Sequence, residues 1–145
     1  MDKLLDKVIT LKSSELFGDI SEHLLLKIAE ALEVIELPER SQLIVKGKIG
    51  HDMYILVDGQ LEVTDESKLL ATLENGAIVG ELSIISPIKR TTDVYASKHS
   101  VLYKLSREDF LELLHYHKSV SINVMKVLVQ RIIKLNQKVK GAADI

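Results

Sequence analysis

The sequence predicts an α+β fold, with helices at both ends of the chain and a unit of short, mainly antiparallel strands between them. Two observations carry this. Both terminal regions place apolar side chains at helical spacing, whereas the middle breaks into apolar runs of three to six residues divided by Gly, Asp and Asn. A third sets the scale: 145 residues with 46% hydrophobic content suit a single domain, 1–145. A chain of that length buries about 70% of the surface it would expose unfolded.

The N-terminal helical part spans about 1–33. A short helix is expected around residues 2–12, then a second from Ser21. There "SEHLLLKIAEAL" sets Leu25, Ile28, Ala29 and Leu32 on one face, with Ser21 as N-cap. The β unit spans 34–105 and holds about eight short strands, recognisable after Pro38 as "LIVK", "MYILV", "QLEVT", "LLATL", "AIV", "DVYAS" and "SVLYKL". Such short, evenly spaced strands suit a barrel or sandwich. "VDGQ" at 57–60 sets Asp-Gly between two runs, which predicts a tight hairpin. Helix returns over 106–140, where Ser106 and Asp109 form a capping-box-like start and a long pattern follows from Val120 to Lys138.

Composition excludes several kinds of chemistry. The chain has no cysteine, so it can form neither disulfides nor thiolate metal sites. His115 and His117 form an H-x-H pair, which on a helix diverges by about 200° and so does not match a helical zinc site. A metal-binding β-barrel needs histidines on its strands, and the strand runs contain none. There is no G-x-S-x-G, H-E-x-x-H or P-loop motif. We therefore expect no enzyme, metal or cofactor. No apolar run approaches the roughly 20 residues needed to span a bilayer, and the amphipathic start is unlike a signal peptide, so a cytoplasmic protein is expected. Charge is uneven: residues 1–112 hold 13 basic and 20 acidic groups, residues 113–145 six and one. A basic tail of this kind fits a solvated helix face or an acidic partner.

One stretch draws the chemistry together, "GELSIISPIKRTT" at 80–92. A turn at Gly80 followed by one helical turn, stopped by Pro87, would present the amides of Leu82, Ser83 and Ile84 to an anion. Arg90 adds a planar fork of donors suited to two oxygens of one phosphate. Glu81 would repel that phosphate unless it accepts a hydrogen bond from a hydroxyl, as acidic residues do with a ribose 2′-OH. Thr91 and Thr92 add hydroxyls nearby. Taken alone, Glu81 and Arg90 fit equally well an ion pair closing an ordinary loop.

The wider pattern resembles a known family. "VGELSIISPIKRTTDVYA" is similar to the phosphate-binding cassette of cyclic-nucleotide-binding domains of the catabolite-activator and protein-kinase regulatory-subunit type. Gly80, Glu81, Arg90, Val94 and Ala96 match its pattern, with Thr91 and Thr92 at its two small residues. "GKIGHDMYILVDGQLEV" resembles the family's upstream glycine motif, with Gly47, Gly50, Tyr54, Gly59 and Val63 in place. "SELFGDISEHLLLKIAEAL" looks like its N-terminal helical segment and "LSREDFLELLHYH" like its B helix, so the likeness runs over roughly residues 12–135.

The resemblance implies a jelly-roll-like β-roll flanked by helices, with the cassette at 79–94, that binds cAMP or cGMP. Glu81 would hold the ribose 2′-OH, Arg90 the cyclic phosphate, and the amides of Leu82, Ser83 and Ile84 the other phosphate oxygens. Gly80 would allow close backbone approach, and the C-terminal helix would close over the base. Thr91 resembles members that accept cGMP and also occurs in members that prefer cAMP; cAMP is the expected ligand. Val79, Ala77, His51, Arg40 and Asp93 depart from the family pattern, but none of them is the phosphate Arg or the ribose Glu.

The last helix carries two apolar stripes. Ile122, Met125, Val129, Ile132, Asn136 and Val139 follow a heptad-like rhythm, and Val124, Leu128 and Leu135 form a second line. A homodimer through the first stripe is expected, with burial inside one subunit as the alternative. No DNA-binding helix-turn-helix is expected, since "NQKVKGAADI" is too short to hold one. Either the domain stands alone or it is a regulatory piece of a longer effector.

Overall fold

The computed structural model describes residues 3–80, 84–86 and 88–143. Among them are four helices: α1 (Lys3–Lys12), α2 (Glu22–Ala31), α3 (Arg107–Tyr116) and α4 (Lys118–Ala143). Ten strands lie between α2 and α3: β1 (Glu33–Leu37), β2 (Gln42–Ile44), β3 (Ile49–Gly50), β4 (Asp52–Asp58), β5 (Leu61–Asp65), β6 (Lys68–Leu73), β7 (Ile78–Val79), β8 (Ile88–Lys89), β9 (Asp93–Ala96) and β10 (Ser100–Ser106). They form two four-stranded sheets, ordered β1-β10-β4-β7 and β2-β9-β5-β6, and a separate ribbon β3-β8. Every pairing is antiparallel. This is the α+β architecture with a roll of short strands that the sequence predicts.

The first sheet is covered on both faces, and alternation along its strands shows how. On β10, Tyr103 and Leu105 join Met53 and Ile55 of β4 in a cluster with the helices, centred on Phe17, Leu25, Ile28 and Phe110. Leu102 of β10 and Leu56 of β4 face the opposite way and pack with Leu61, Val94 and Ala96 of the second sheet. Helices, first sheet and second sheet therefore make three layers with two cores. Phe17 and Phe110 meet edge to face at 6.4 Å and 77°, an arrangement worth about 0.5–1.5 kcal/mol beyond the area buried.

Local signals were obeyed unevenly. Ser106 caps α3 as expected, its hydroxyl accepting from the Asp109 amide at 3.2 Å. Ser21 occupies the N-cap of α2, but its side chain makes no capping bond. The Asp-Gly turn is a correction: β4 and β5, which flank it, lie in different sheets and do not pair as a hairpin. Gly59 has φ +132°, whereas Asp58 is not left-handed, so the two-residue turn that needs positive φ at both centres is not formed. Instead the Gln60 amide donates to the Ser100 hydroxyl at 3.2 Å and the chain crosses between layers. The sequence also hides β1, which precedes Pro38, and the two-residue strands β3 and β8, too short to show a period.

Helix α4 docks by its first half only. Val120 and Val124 are buried and Leu128 packs beside them. The Asn123 side chain donates to the Leu16 carbonyl at 3.0 Å, and Arg131 grips Glu15 with Nε and Nη2, each 3.3 Å from a carboxylate oxygen. Leu135, expected in line with Val124 and Leu128, is exposed instead, because the helix runs past the core after Leu128. Ile122, Met125, Val129, Ile132 and Val139 are also open, at 38–56% exposure, so the heptad-like stripe faces away from the body.

Candidate functional site

The chain leaves β7 at Gly80 with φ +84°, a conformation that disfavours any side chain. The Ile84 amide donates to the Gly80 carbonyl at 3.2 Å, so it is already engaged and does not serve as the phosphate donor that the sequence led us to expect. Ile84 itself is fully buried among the helices and anchors the segment to their core. Glu81, Leu82, Ser83 and Pro87, assigned roles from the sequence, lie outside the described residues.

After β8 the chain reaches Arg90, whose backbone extends the ribbon. Its amide donates to the Lys48 carbonyl and its carbonyl accepts from the Gly47 amide, both at 2.8 Å. Its guanidinium is fixed as well, with Nη2 donating to the Asp52 carbonyl at 3.0 Å. Two glycines flank the group. A Cβ built on Gly50 would lie 2.0 Å from Arg90 Nε, and one on Gly80 would lie 2.5 Å from Arg90 Nη1. Sequence reasoning gave neither Gly50 nor Asp52 a role here. Gly50 did leave a signal, since glycine inside a strand often marks a close approach. Asp52 left none, because it contributes only a carbonyl.

Arg90, Thr91, Thr92 and Gly80 come together on the wall of a cavity of about 250 Å³. The rest of the lining is largely apolar and includes Val63 and Leu73 of the β5–β6 hairpin and Val94 of β9. Two basic residues, Lys89 and Arg90, and two threonines in the lining of an otherwise apolar chamber suit a small-molecule site, and the volume lies just below the roughly 300 Å³ at which such pockets begin. Tyr54, on β4, holds its phenolic proton above the ordinary range, chiefly through burial and then through the nearby Asp52 carboxylate, with Lys104 and then Arg90 acting in the opposite sense. Asp93, at a position where the sequence departs from the family pattern, accepts from the Gln42 side chain at 2.9 Å and the Lys46 amide at 2.8 Å, tying β2 to β9. Among the described residues, none of α4 lines the cavity. The two histidines of the H-x-H pair are far from it in role: His115 stacks edge to face on Tyr116 at 4.8 Å, and His117 caps α3.

Comparison with known proteins points the same way. Residues 34–117 match the family described as cyclic nucleotide-binding domain. A cGMP-dependent protein kinase of Drosophila melanogaster is 30% identical over 84 residues, 58% of this chain and 8% of the kinase. Among solved structures, the N-terminal domain of a transcriptional regulator from Streptomyces coelicolor gives a TM-score of 0.81 at 21% identity, covering 90% of this chain and 94% of that one. The regulatory domain of Toxoplasma gondii PKA with cAMP gives 0.71 at 23% identity, covering 77% and 45%. The chain spans at most 15% of the length of the first curated relatives it matches.

Proposed function

The chain belongs to the cyclic nucleotide-binding domain family, and from that premise we propose that it is a sensor module taking cAMP, with cGMP the alternative ligand, into the cavity beside Arg90. The observation that carries this reading is the seating of the guanidinium at the wall of an apolar chamber, where an anion would meet a fixed fork of donors. Arg90 takes the cyclic phosphate, Glu81 the ribose 2′-OH, and the Leu82 and Ser83 amides the remaining phosphate oxygens. Gly80 lets the backbone come close, and Ile84 anchors the cassette. Thr91 and Thr92 meet the phosphate or the base edge. No cofactor or catalytic step enters this reading; the whole of 1–145 acts as one regulatory domain in the cytoplasm, alone or as part of a longer effector.

Binding becomes a signal through α4. Its docked half touches the helical core that Ile84 also enters, so a change in the cassette reaches the helix through shared packing. The size of any such shift is bounded by the ligand's difference in affinity between the two arrangements. A second reading, a scaffold of the same fold that assembles without nucleotide, is favoured by one observation, the open apolar stripe of α4. In both readings that stripe joins two copies.

Isothermal titration separates them. The sensor reading expects saturable binding of cAMP or cGMP, weakened by about 2–5 kcal/mol in Arg90→Ala, since the phosphate loses its charged partner in a desolvated site. Neither nucleotide binding at millimolar concentration, with the fold intact by circular dichroism, would leave the scaffold.

A further inference from the structure

Gly50 is a glycine with no backbone reason to be one. It sits buried in β3 with a φ outside the left-handed region, unlike Gly47, Gly59, Gly76 and Gly80. In such a position alanine is normally the better residue, because glycine loses more conformational freedom on folding. The only reason the structure offers is steric. The three atoms nearest a Cβ at this position are all from Arg90: Nε at 2.0 Å, Cζ at 2.2 Å and Nη2 at 2.5 Å. No atom of the fold's backbone is as near.

Gly80 also borders the guanidinium, but its constraint is of another kind. A Cβ there would also lie 2.7 Å from the Asp52 carbonyl oxygen, and the φ of +84° would strain any side chain. A change at Gly80 therefore disturbs the backbone. At Gly50 the obstructing group is the end of a long side chain, which yields by moving. An added methyl would displace the arginine and leave the fold in place.

We propose that Gly50 is a positioning residue for the bound anion: it makes no ligand contact and acts by leaving the space in which the guanidinium of Arg90, a residue of the cavity wall, lies tied to the Asp52 carbonyl. This rests on the assignment of Arg90 to the cyclic phosphate. The slot fixes the plane of the fork, and a planar donor pair recognises two oxygens only when its plane is right. Lysine, with no plane, would gain nothing from such a slot.

The test is a double-mutant cycle of Gly50→Ala and Arg90→Ala, titrated with cAMP and cGMP, with thermal midpoints and the Arg90 Nε–Hε cross-peak recorded for each protein. Gly50→Ala should weaken binding by about tenfold or more, with its midpoint close to that of the native chain and the cross-peak moved. In the Arg90→Ala background the same change should alter affinity no further. Unchanged affinity in Gly50→Ala, or an equal loss in both backgrounds, overturns the proposal. If Gly50→Ala alone fails to fold, the double variant decides: folding restored by removing the guanidinium supports the slot, and failure in both refutes it. Should the native protein take neither nucleotide, the sensor reading falls by itself, and the slot stands or falls on whether Gly50→Ala shifts the Arg90 cross-peak.

Discussion

Gly59 and Gly76 both need positive φ, at +132° and +96°, yet their surroundings differ completely. A Cβ on Gly59 would lie 2.2 Å from Ser100 Oγ and 2.7 Å from Ser100 Cα, whereas one on Gly76 would meet nothing within 4 Å. Gly76→Ala should therefore cost only backbone strain, about 1–2 kcal/mol. Gly59→Ala adds crowding against a strand that cannot move, and should cost about 3 kcal/mol or more. Urea unfolding of the two variants checks this, and equal losses would show that the crowding is relieved. The same residue marks where reading the sequence stops. Asp-Gly says that the chain turns there; that the next strand joins the other sheet, with the Gln60 amide bonded to Ser100 forty residues on, is a long-range outcome no local signal reveals. The site divides likewise. Gly80, Arg90, Thr91 and Thr92, which line one cavity, could be grouped from the sequence because they lie close together in a single motif. Asp52 left no signal, since it meets Arg90 through a carbonyl, and Gly50 left only that of a glycine within a strand, with no sign that Arg90 lies against it.

At the scale of the element, α4 is the instructive case. Its two stripes follow from spacing, and the inner one docks through Val124 and Leu128 as that spacing implies. Where the body ends beneath the helix cannot be read from the helix itself, and Leu135 is exposed although it continues the line of Val124 and Leu128. The outer stripe leaves Met125, Val129, Ile132 and Val139 half exposed along one face. No acidic residue interrupts this helix, so a single carboxylate placed in the stripe would be both desolvated and out of pattern on pairing. Val129→Glu should convert a dimer into a monomer without loss of helix content, measured by sedimentation velocity and circular dichroism. A native chain that sediments as a monomer at every concentration would assign the stripe to some other contact.

Across the whole molecule, three layers share one middle sheet, and two tyrosines report on it. Tyr103 lies on its helical face and Tyr54 packs against its other core. Both phenols have raised proton affinity, chiefly from burial, with Asp52 adding to Tyr54 and Asp6 to Tyr103. A group that holds its proton more tightly when folded contributes stability in full below its unfolded pKa of about 10, and loses it as pH rises through the folded value. The urea midpoint should thus fall more steeply above about pH 10 in the native chain than in a Tyr54→Phe/Tyr103→Phe variant, and parallel curves would dismiss the assignment. The ribbon β3-β8 stands apart from this coupled structure. It holds the arginine's backbone, yet only two residue pairs join its strands and it belongs to neither sheet. No residue of β3 or β8 belongs to either hydrophobic core, so on the proposed reading substitutions in this ribbon alter the seat of Arg90 and leave both cores untouched. Affinity for the proposed ligand can thus be retuned through these four residues while the body of the protein goes on folding as before.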